Sequence, residues 1–75
     1  MIKSLSIIFP VFNEELRLKS SFNHILIFLK KKQYFKIEII FVDDGSNDNS
    51  FFLIKNFIKI YKKYKTTNKV KIKIV

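Results

Sequence analysis

Short apolar runs alternate along the chain with stretches in which apolar residues recur every three or four positions. Three runs rich in Ile and Val, residues 5–9, 37–42 and 70–75, predict β-strands. The intervals between them predict one amphipathic helix each. The helix stripes are Leu18, Phe22, Ile25, Leu26 and Leu29 in the first interval and Ile54, Phe57, Ile58 and Tyr61 in the second. The order β-α-β-α-β, with a repeat of about 30 residues, is typical of parallel crossover units.

Local signals predict where these elements begin and end. Pro10 is expected to stop the first strand, which is interpreted as buried. Asn13 is a candidate cap for the first helix, and Ser46 or Asp48 for the second. A loop is expected over residues 66–69, before the third strand.

The predicted topology leaves one face of the sheet without helices. Because crossovers are right-handed in about 98% of cases, two crossovers in the same direction place both helices on one face. The second strand is largely apolar on either face, with Ile37, Ile39 and Phe41 on one and Glu38, Ile40 and Val42 on the other. Since a parallel sheet needs both faces covered, residues 1–75 are expected to be the N-terminal part of a single larger domain.

Composition narrows the class of protein. Apolar residues make up 48% of the chain, which is ample for a globular core. The absence of cysteine excludes a disulfide framework and a thiolate metal site, and fits a reducing compartment. No apolar run approaches the roughly 20 residues of a membrane span. The N-terminus makes a poor signal peptide, because its apolar part is short, Pro10 interrupts it and acidic residues follow. We therefore expect a cytoplasmic protein, with peripheral contact to the cytoplasmic membrane face left open.

The net charge of +9 does not indicate a nucleic-acid binder. Nucleic-acid readers rely on Arg for bidentate base contacts, and Arg17 is the only arginine. The lysines are spread out, with runs only at 30–32 and 62–63. The charge is better interpreted as long-range attraction to an anionic membrane surface or a diphosphate ligand.

Polar residues follow the first two predicted strands, at residues 10–14 and 43–46. Ligands of open parallel sheets bind beyond the carboxyl ends of the strands, where these two segments would lie side by side. Carboxylates accept hydrogen bonds from a base or from ribose hydroxyls, and Phe12 can stack on a base. This equipment suits a nucleoside. No glycine-rich phosphate loop is present, so a diphosphate would need another holder, typically a divalent metal. The alternative is structural: a polar turn capped by Asp43, with Glu14 serving only as a helix-end charge.

Two motifs carry a resemblance to a known family. The stretch SIIFPVFNEELRL, followed some 30 residues later by IEIIFVDDGSNDNS, resembles the start of glycosyltransferase family 2, the inverting enzymes of GT-A fold. Within that family, NEELRL and FLKKKQY are most similar to dolichyl- or polyprenyl-phosphate glucosyltransferases and mannosyltransferases. The resemblance covers essentially the whole chain but only about the first third of such an enzyme. It implies a Rossmann-like, parallel three-stranded α/β unit, the incomplete nucleotide-binding part of a GT-A domain.

The resemblance also implies roles for individual residues. The residues expected to line the nucleotide-sugar pocket are Pro10, Phe12 and Glu14 from the first segment and Val42 and Asp44 from the second. Asp44 would contact the base, while Asp43 and Gly45 would support the loop. Phe12 stands where family members usually carry Tyr. Compared with Tyr, Phe keeps the stacking surface but lacks the phenolic hydroxyl and its hydrogen bond. A Mg²⁺ or Mn²⁺ ion is expected in the complete enzyme, but its Asp-x-Asp ligands are not in this chain, and no catalytic residue is assigned here.

The implied reaction is inverting transfer of a hexose from a UDP- or GDP-sugar to polyprenyl phosphate, dolichyl phosphate or a glycan, in synthesis of cell-envelope glycans. Nothing in these residues separates UDP from GDP or one sugar from another. One alternative is a non-catalytic remnant or split-gene fragment of such an enzyme, inactive on its own. The other is a receiver-type signalling domain, which normally carries its acidic pair after the first strand, whereas Asp43 and Asp44 follow the second. His24 is interpreted as a surface residue.

Overall fold

The computed structural model describes residues 4–32, 36–64 and 69–75. Its elements are β1 (Ser4–Val11), α1 (Glu15–Lys31), β2 (Lys36–Asp43), α2 (Ser50–Tyr64) and β3 (Val70–Ile74). The predicted β-α-β-α-β order and the α/β class are therefore confirmed. The loop predicted before β3 lies, apart from its last residue, outside the described residues.

The three strands form one parallel sheet in the order β1-β2-β3. The central strand β2 aligns Ile39 with Ile7 on one side and with Ile72 on the other. At the carboxyl ends, Val11 of β1 lies level with Asp43 of β2. This register brings the segments that follow β1 and β2 to the same edge of the sheet.

Both helices pack on one face of the sheet, as the handedness of the crossovers predicts. The residues of that face in β2 are almost fully buried, with Ile39 and Phe41 each 1% exposed. They share one core with Leu18, Ile25 and Leu29 of α1, Ile54 and Ile58 of α2, and Val11, Ile37, Val70 and Ile72 of the strands. Between the helices, the rings of Phe22 and Phe57 stack with centroids 4.1 Å apart. This core fixes the two helix N-termini at the edge where the candidate site lies.

In the part of the chain that the structure describes, the opposite face carries no helix and is only partly apolar. Glu38 accepts a hydrogen bond from the Ser6 hydroxyl at 3.3 Å and forms an ion pair with Lys73 at 3.1 Å. Hydrogen bonding and charge from Lys73 lower the pKa of Glu38 below its usual value. Ile8 is 64% exposed and Val42 37% exposed on this face. The predicted bare apolar surface is therefore present, but polar side chains divide it.

Three local predictions are wrong, each for a physical reason. The first strand is not buried: it is an edge strand, and Val11 is its one buried residue. Pro10 lies inside β1, level with Val42, since an edge strand tolerates a residue that cannot donate on its free side. Leu26 is 43% exposed, because the core stripe of α1 passes through Leu18, Ile25 and Leu29.

Among the described residues, no helix has the length and apolar content needed to cross a membrane.

Candidate functional site

Two loops meet at the carboxyl edge of the sheet. The first loop (residues 12–14) joins β1 to α1, and the second loop (residues 44–49) joins β2 to α2. Their starting points are bonded directly, since the Asp44 N–H donates to the Val11 carbonyl at 2.8 Å. The two loops therefore leave the sheet together.

The structure gathers the predicted nucleotide-binding residues at this edge. Pro10 and Val42 are neighbours across β1 and β2. Phe12 is 54% exposed and Asp44 is exposed, so both are accessible to a ligand. Glu14 is half-buried, with Oε2 3.6 Å from Nε of Arg17. Their contacts with a nucleotide stay predictions.

The residues predicted to support the second loop form a tight turn. Asp43 Oδ1 accepts the backbone N–H of Ser46 at 3.0 Å. Gly45, between them, has φ of +76°, a conformation that L side chains rarely adopt. A Cβ at Gly45 would meet no atom within 4 Å, so the turn requires glycine for its backbone angle and not for space.

The start of α1 is capped by the second loop and by the first residue of α2. Three successive backbone N–H groups donate to side-chain oxygens there. The pairs are Asn13 to Ser46 at 3.0 Å, Glu14 to Ser50 at 2.9 Å and Glu15 to Asp48 at 3.2 Å. Helix N-termini leave such groups without intrahelical partners, so these bonds satisfy donors that water would otherwise take.

Backbone N–H groups of the second loop also donate to side chains of the first loop and of α1. Asn47 N–H donates to Asn13 Oδ1 and Asn49 N–H donates to Glu15 Oε1, both at 2.7 Å. The prediction that Asn13 caps α1 is wrong. Its φ of +50° is a left-handed conformation that Asn tolerates, and its side chain bonds to the second loop instead.

Asp48 joins the two helix ends through one carboxylate. Its Oδ2 accepts from Glu15 of α1, and its Oδ1 accepts the Ser50 N–H at 2.9 Å in the first turn of α2. The pKa of Asp48 lies below its usual value, mainly because the Ser50 side chain hydrogen-bonds to the carboxylate. The backbone N–H groups of Ser50 and Glu15 lower the pKa further. Of the two predicted caps for α2, Asp48 accepts the first backbone N–H of the helix from one residue before the cap position, whereas Ser46 bonds to Asn13.

These contacts limit where a phosphate could bind. A helix N-terminus commonly holds phosphate through free backbone N–H groups. At the start of α1, the N–H groups of Glu14 and Glu15 are already bonded to Ser50 and Asp48. These two N–H groups are therefore not available to a diphosphate.

The carboxylates at this edge do not form a metal site. Across residues 4–32, 36–64 and 69–75, no three His, Cys, Asp or Glu residues are grouped so that they could hold an ion. Asp43, Asp48 and Glu15 already accept backbone N–H groups. The described residues therefore do not fit the Mg²⁺ or Mn²⁺ ion that the resemblance implies.

The bonds between the loops differ from the predicted roles of their residues. Ser46 and Asp48 were expected only as caps of α2, and Ser50 had no predicted role. The available signal was the spacing Ser46-x-Asp48-x-Ser50 directly after Gly45, which places three side-chain acceptors on alternate residues.

Comparison with known proteins identifies the family of the chain. The model of glycosyl transferase family 2 matches residues 6–73. A dolichyl-phosphate beta-glucosyltransferase from Dictyostelium discoideum is 41% identical over 59 residues, which cover 73% of this chain and 18% of that protein. Another from Trichomonas vaginalis is 38% identical over 61 residues, covering 76% of this chain and 19% of the relative. The human dolichyl-phosphate beta-glucosyltransferase is 42% identical over 52 residues, which cover 64% of this chain and 16% of the human protein.

The chain thus matches less than a fifth of the length of these curated relatives. No solved structure gives a significant match. The family match spans both loops of the site, both helices and β2, and most of β1 and β3. By this match, and as its two motifs predict, the chain belongs to glycosyltransferase family 2.

Proposed function

We propose that this chain is the nucleotide-sugar-binding part of a glycosyltransferase that moves a hexose from a UDP- or GDP-sugar to dolichyl or polyprenyl phosphate. The observation that carries the proposal is the meeting of the two loops, with Phe12 and Asp44 accessible at one edge. The names of the similar proteins, all dolichyl-phosphate beta-glucosyltransferases, support a lipid-phosphate acceptor and glucose as the sugar.

The exposed groups suit a nucleoside. Phe12 offers a ring on which a base can stack, and Asp44 offers a carboxylate for base N–H groups or ribose hydroxyls. Pro10 and Val42 lie side by side at the ends of their strands and add an apolar surface. Glu14 adds a second carboxylate beside the first loop. In this proposal the residues bind and orient the donor.

The acceptor side of the reaction is not assigned to these residues. A phosphate acceptor is already anionic, so it needs less help from a general base than a sugar hydroxyl does. A Mg²⁺ or Mn²⁺ ion would offset charge on the leaving diphosphate in a complete enzyme. Among the described residues, no three His, Cys, Asp or Glu side chains are grouped so that they could hold this ion. The ligands of the metal ion would therefore be other residues. Peripheral contact of the lysine side chains with an anionic membrane surface is part of the same proposal.

The proposal is tested by titrating the ¹⁵N-labelled chain with UDP and, separately, with GDP. We expect amide shifts at Phe12, Glu14 and Asp44 that saturate with nucleotide, and little change at His24, which is exposed on α1. Shifts scattered over lysine-bearing surfaces, or none at all, would count against a nucleotide site at this edge.

A further inference from the structure

We propose that Ser50 and Asp48 are positioning residues of the nucleotide site: they fix the two loops at binding distance before a ligand arrives. This inference rests on the proposed function, because the groups that the two residues position are the candidate binding residues. Neither residue is proposed to touch the nucleotide.

Ser50 controls the place of Glu14. The Ser50 side chain is fully buried, with 0% exposure, and Oγ accepts the Glu14 N–H at 2.9 Å. The Glu14 carbonyl in turn accepts the N–H groups of Arg17 and Leu18 at 2.8 and 3.0 Å, which starts α1. Because Ser50 is inaccessible to a ligand, any effect it has on nucleotide binding must pass through a neighbour such as Glu14.

Asp48 sets the separation of the two helix ends. Its two carboxylate oxygens accept one N–H from each helix, Glu15 of α1 and Ser50 of α2. A carboxylate is rigid and planar, so bonding both oxygens fixes the position of one helix start relative to the other. Hydrogen bonds to an ionised acceptor are also stronger than neutral ones.

Burial distinguishes these two residues from the other cross-loop partners. The bonds of Ser46 to Asn13 and of Asn13 to Asn47 are exposed, so water can replace a lost acceptor there. The bonds of Ser50 to Glu14 and of Asp48 to Glu15 are partly buried. An N–H left unsatisfied in a partly buried place costs more than one that water reaches. Ser46 is therefore the matched control.

The experiment measures the affinity of the chain for UDP and for GDP by calorimetry in a small set of variants. We expect Ser50→Ala to weaken nucleotide binding about tenfold, and Ser50→Thr, which keeps the hydroxyl, to stay within about twofold of wild type. Asp48→Asn keeps the shape but replaces one acceptor oxygen with a donor, and we expect it to weaken binding similarly. Ser46→Ala should change the affinity by no more than about twofold.

A double-mutant cycle separates positioning from general loss of stability. If Ser50 acts through Glu14, Ser50→Ala should cost little further affinity in a Glu14→Ala background. A loss that is equal in both backgrounds would mean that the substitution only destabilises the fold, and would overturn the proposal. Amide exchange at Glu14 and Glu15, which should quicken in Ser50→Ala and Asp48→Asn, reports the loosened contact without any ligand.

The outcomes for the two proposals are distinct. Wild-type protein that binds neither UDP nor GDP would contradict the proposed function and the positioning role with it. Wild-type protein that binds, with Ser50→Ala and Asp48→Asn binding equally well, would contradict the positioning role alone.

Discussion

The buried hydroxyl of Ser50 accepts the backbone N–H of Glu14 at 2.9 Å, across 36 positions of sequence. This bond joins the first residue of α2 to the residue that precedes α1. It shows that the loops after β1 and β2 form one hydrogen-bonded unit in which each side completes the other. If the proposed function holds, these bonds limit the ordering that nucleotide binding must impose on the two loops.

Ionisation of Asp48 should make this unit sensitive to acid. Its pKa in the folded chain lies below the ordinary value of 3.8. A carboxyl group of this kind contributes stability above its unfolded pKa, and the contribution is lost as the pH falls through the lower folded value. We expect wild type to be more stable than Asp48→Asn at about pH 6, with the difference shrinking once the pH falls below about 4.

Circular dichroism during denaturant unfolding at each pH measures this difference. Ser46→Ala serves as the control, because its cross-loop bond involves no titrating group. A gap between wild type and Asp48→Asn that stays constant down to the acid limit would contradict the role given to the Asp48 charge.

Phe12 should act through its ring. Phe12→Tyr keeps the stacking surface, so nucleotide affinity should be retained or improved. Phe12→Ala should lose about 1–3 kcal/mol of binding, the usual range for base–aromatic stacking. Calorimetry with UDP and GDP measures both, and Phe52→Ala is the control because Phe52 is 70% exposed on α2. Equal affinity for Phe12→Ala and wild type would assign Phe12 to packing.

The uncovered side of the sheet should make the chain self-associate. Strand β1 has a free edge, and Ile8, at 64% exposure, lies on the face without helices. Exposed edges and apolar patches promote association between copies. We expect sedimentation to report larger species as concentration rises, and Ile8→Lys to shift the protein toward monomer.

Ile60→Lys is the matched control for this prediction, since Ile60 is 49% exposed but lies on α2, away from the bare face. A wild-type chain that remains monomeric at all concentrations, with a sharp unfolding transition, would show that the bare face is tolerated. No transferase activity is expected from the chain alone, and a direct sugar-transfer assay checks this.

The parts of the fold that could be predicted are those set by local patterning. Apolar runs located all three strands, and periodicity located both helices, because each signal follows from one element's own burial. The errors concern relations between elements. The exposure of β1 depends on strand order, and the role of Asn13 depends on the second loop, which lies more than 30 residues further along the chain.

In the candidate site as well, the features set by local sequence were predicted and the contacts between distant segments were not. The accessible positions of Phe12 and Asp44 follow from their places after two parallel strands, which the sequence indicates. The bonds that Ser46 and Ser50 make to the first loop, and that Asp48 makes to Glu15, were not predicted, because a side-chain acceptor at a helix start usually serves its own helix.

The most direct measurement is calorimetry of UDP and GDP binding to wild type, Asp44→Ala and His24→Ala at micromolar protein concentration. Asp44 is exposed at the site edge, bonded through its backbone to Val11, whereas His24 is exposed on α1. If the edge binds a nucleotide, Asp44→Ala should weaken binding by at least about tenfold, as expected for lost hydrogen bonds to a charged acceptor, while His24→Ala binds like wild type. Equal affinity for wild type and Asp44→Ala would contradict the assignment of this edge as the nucleotide site.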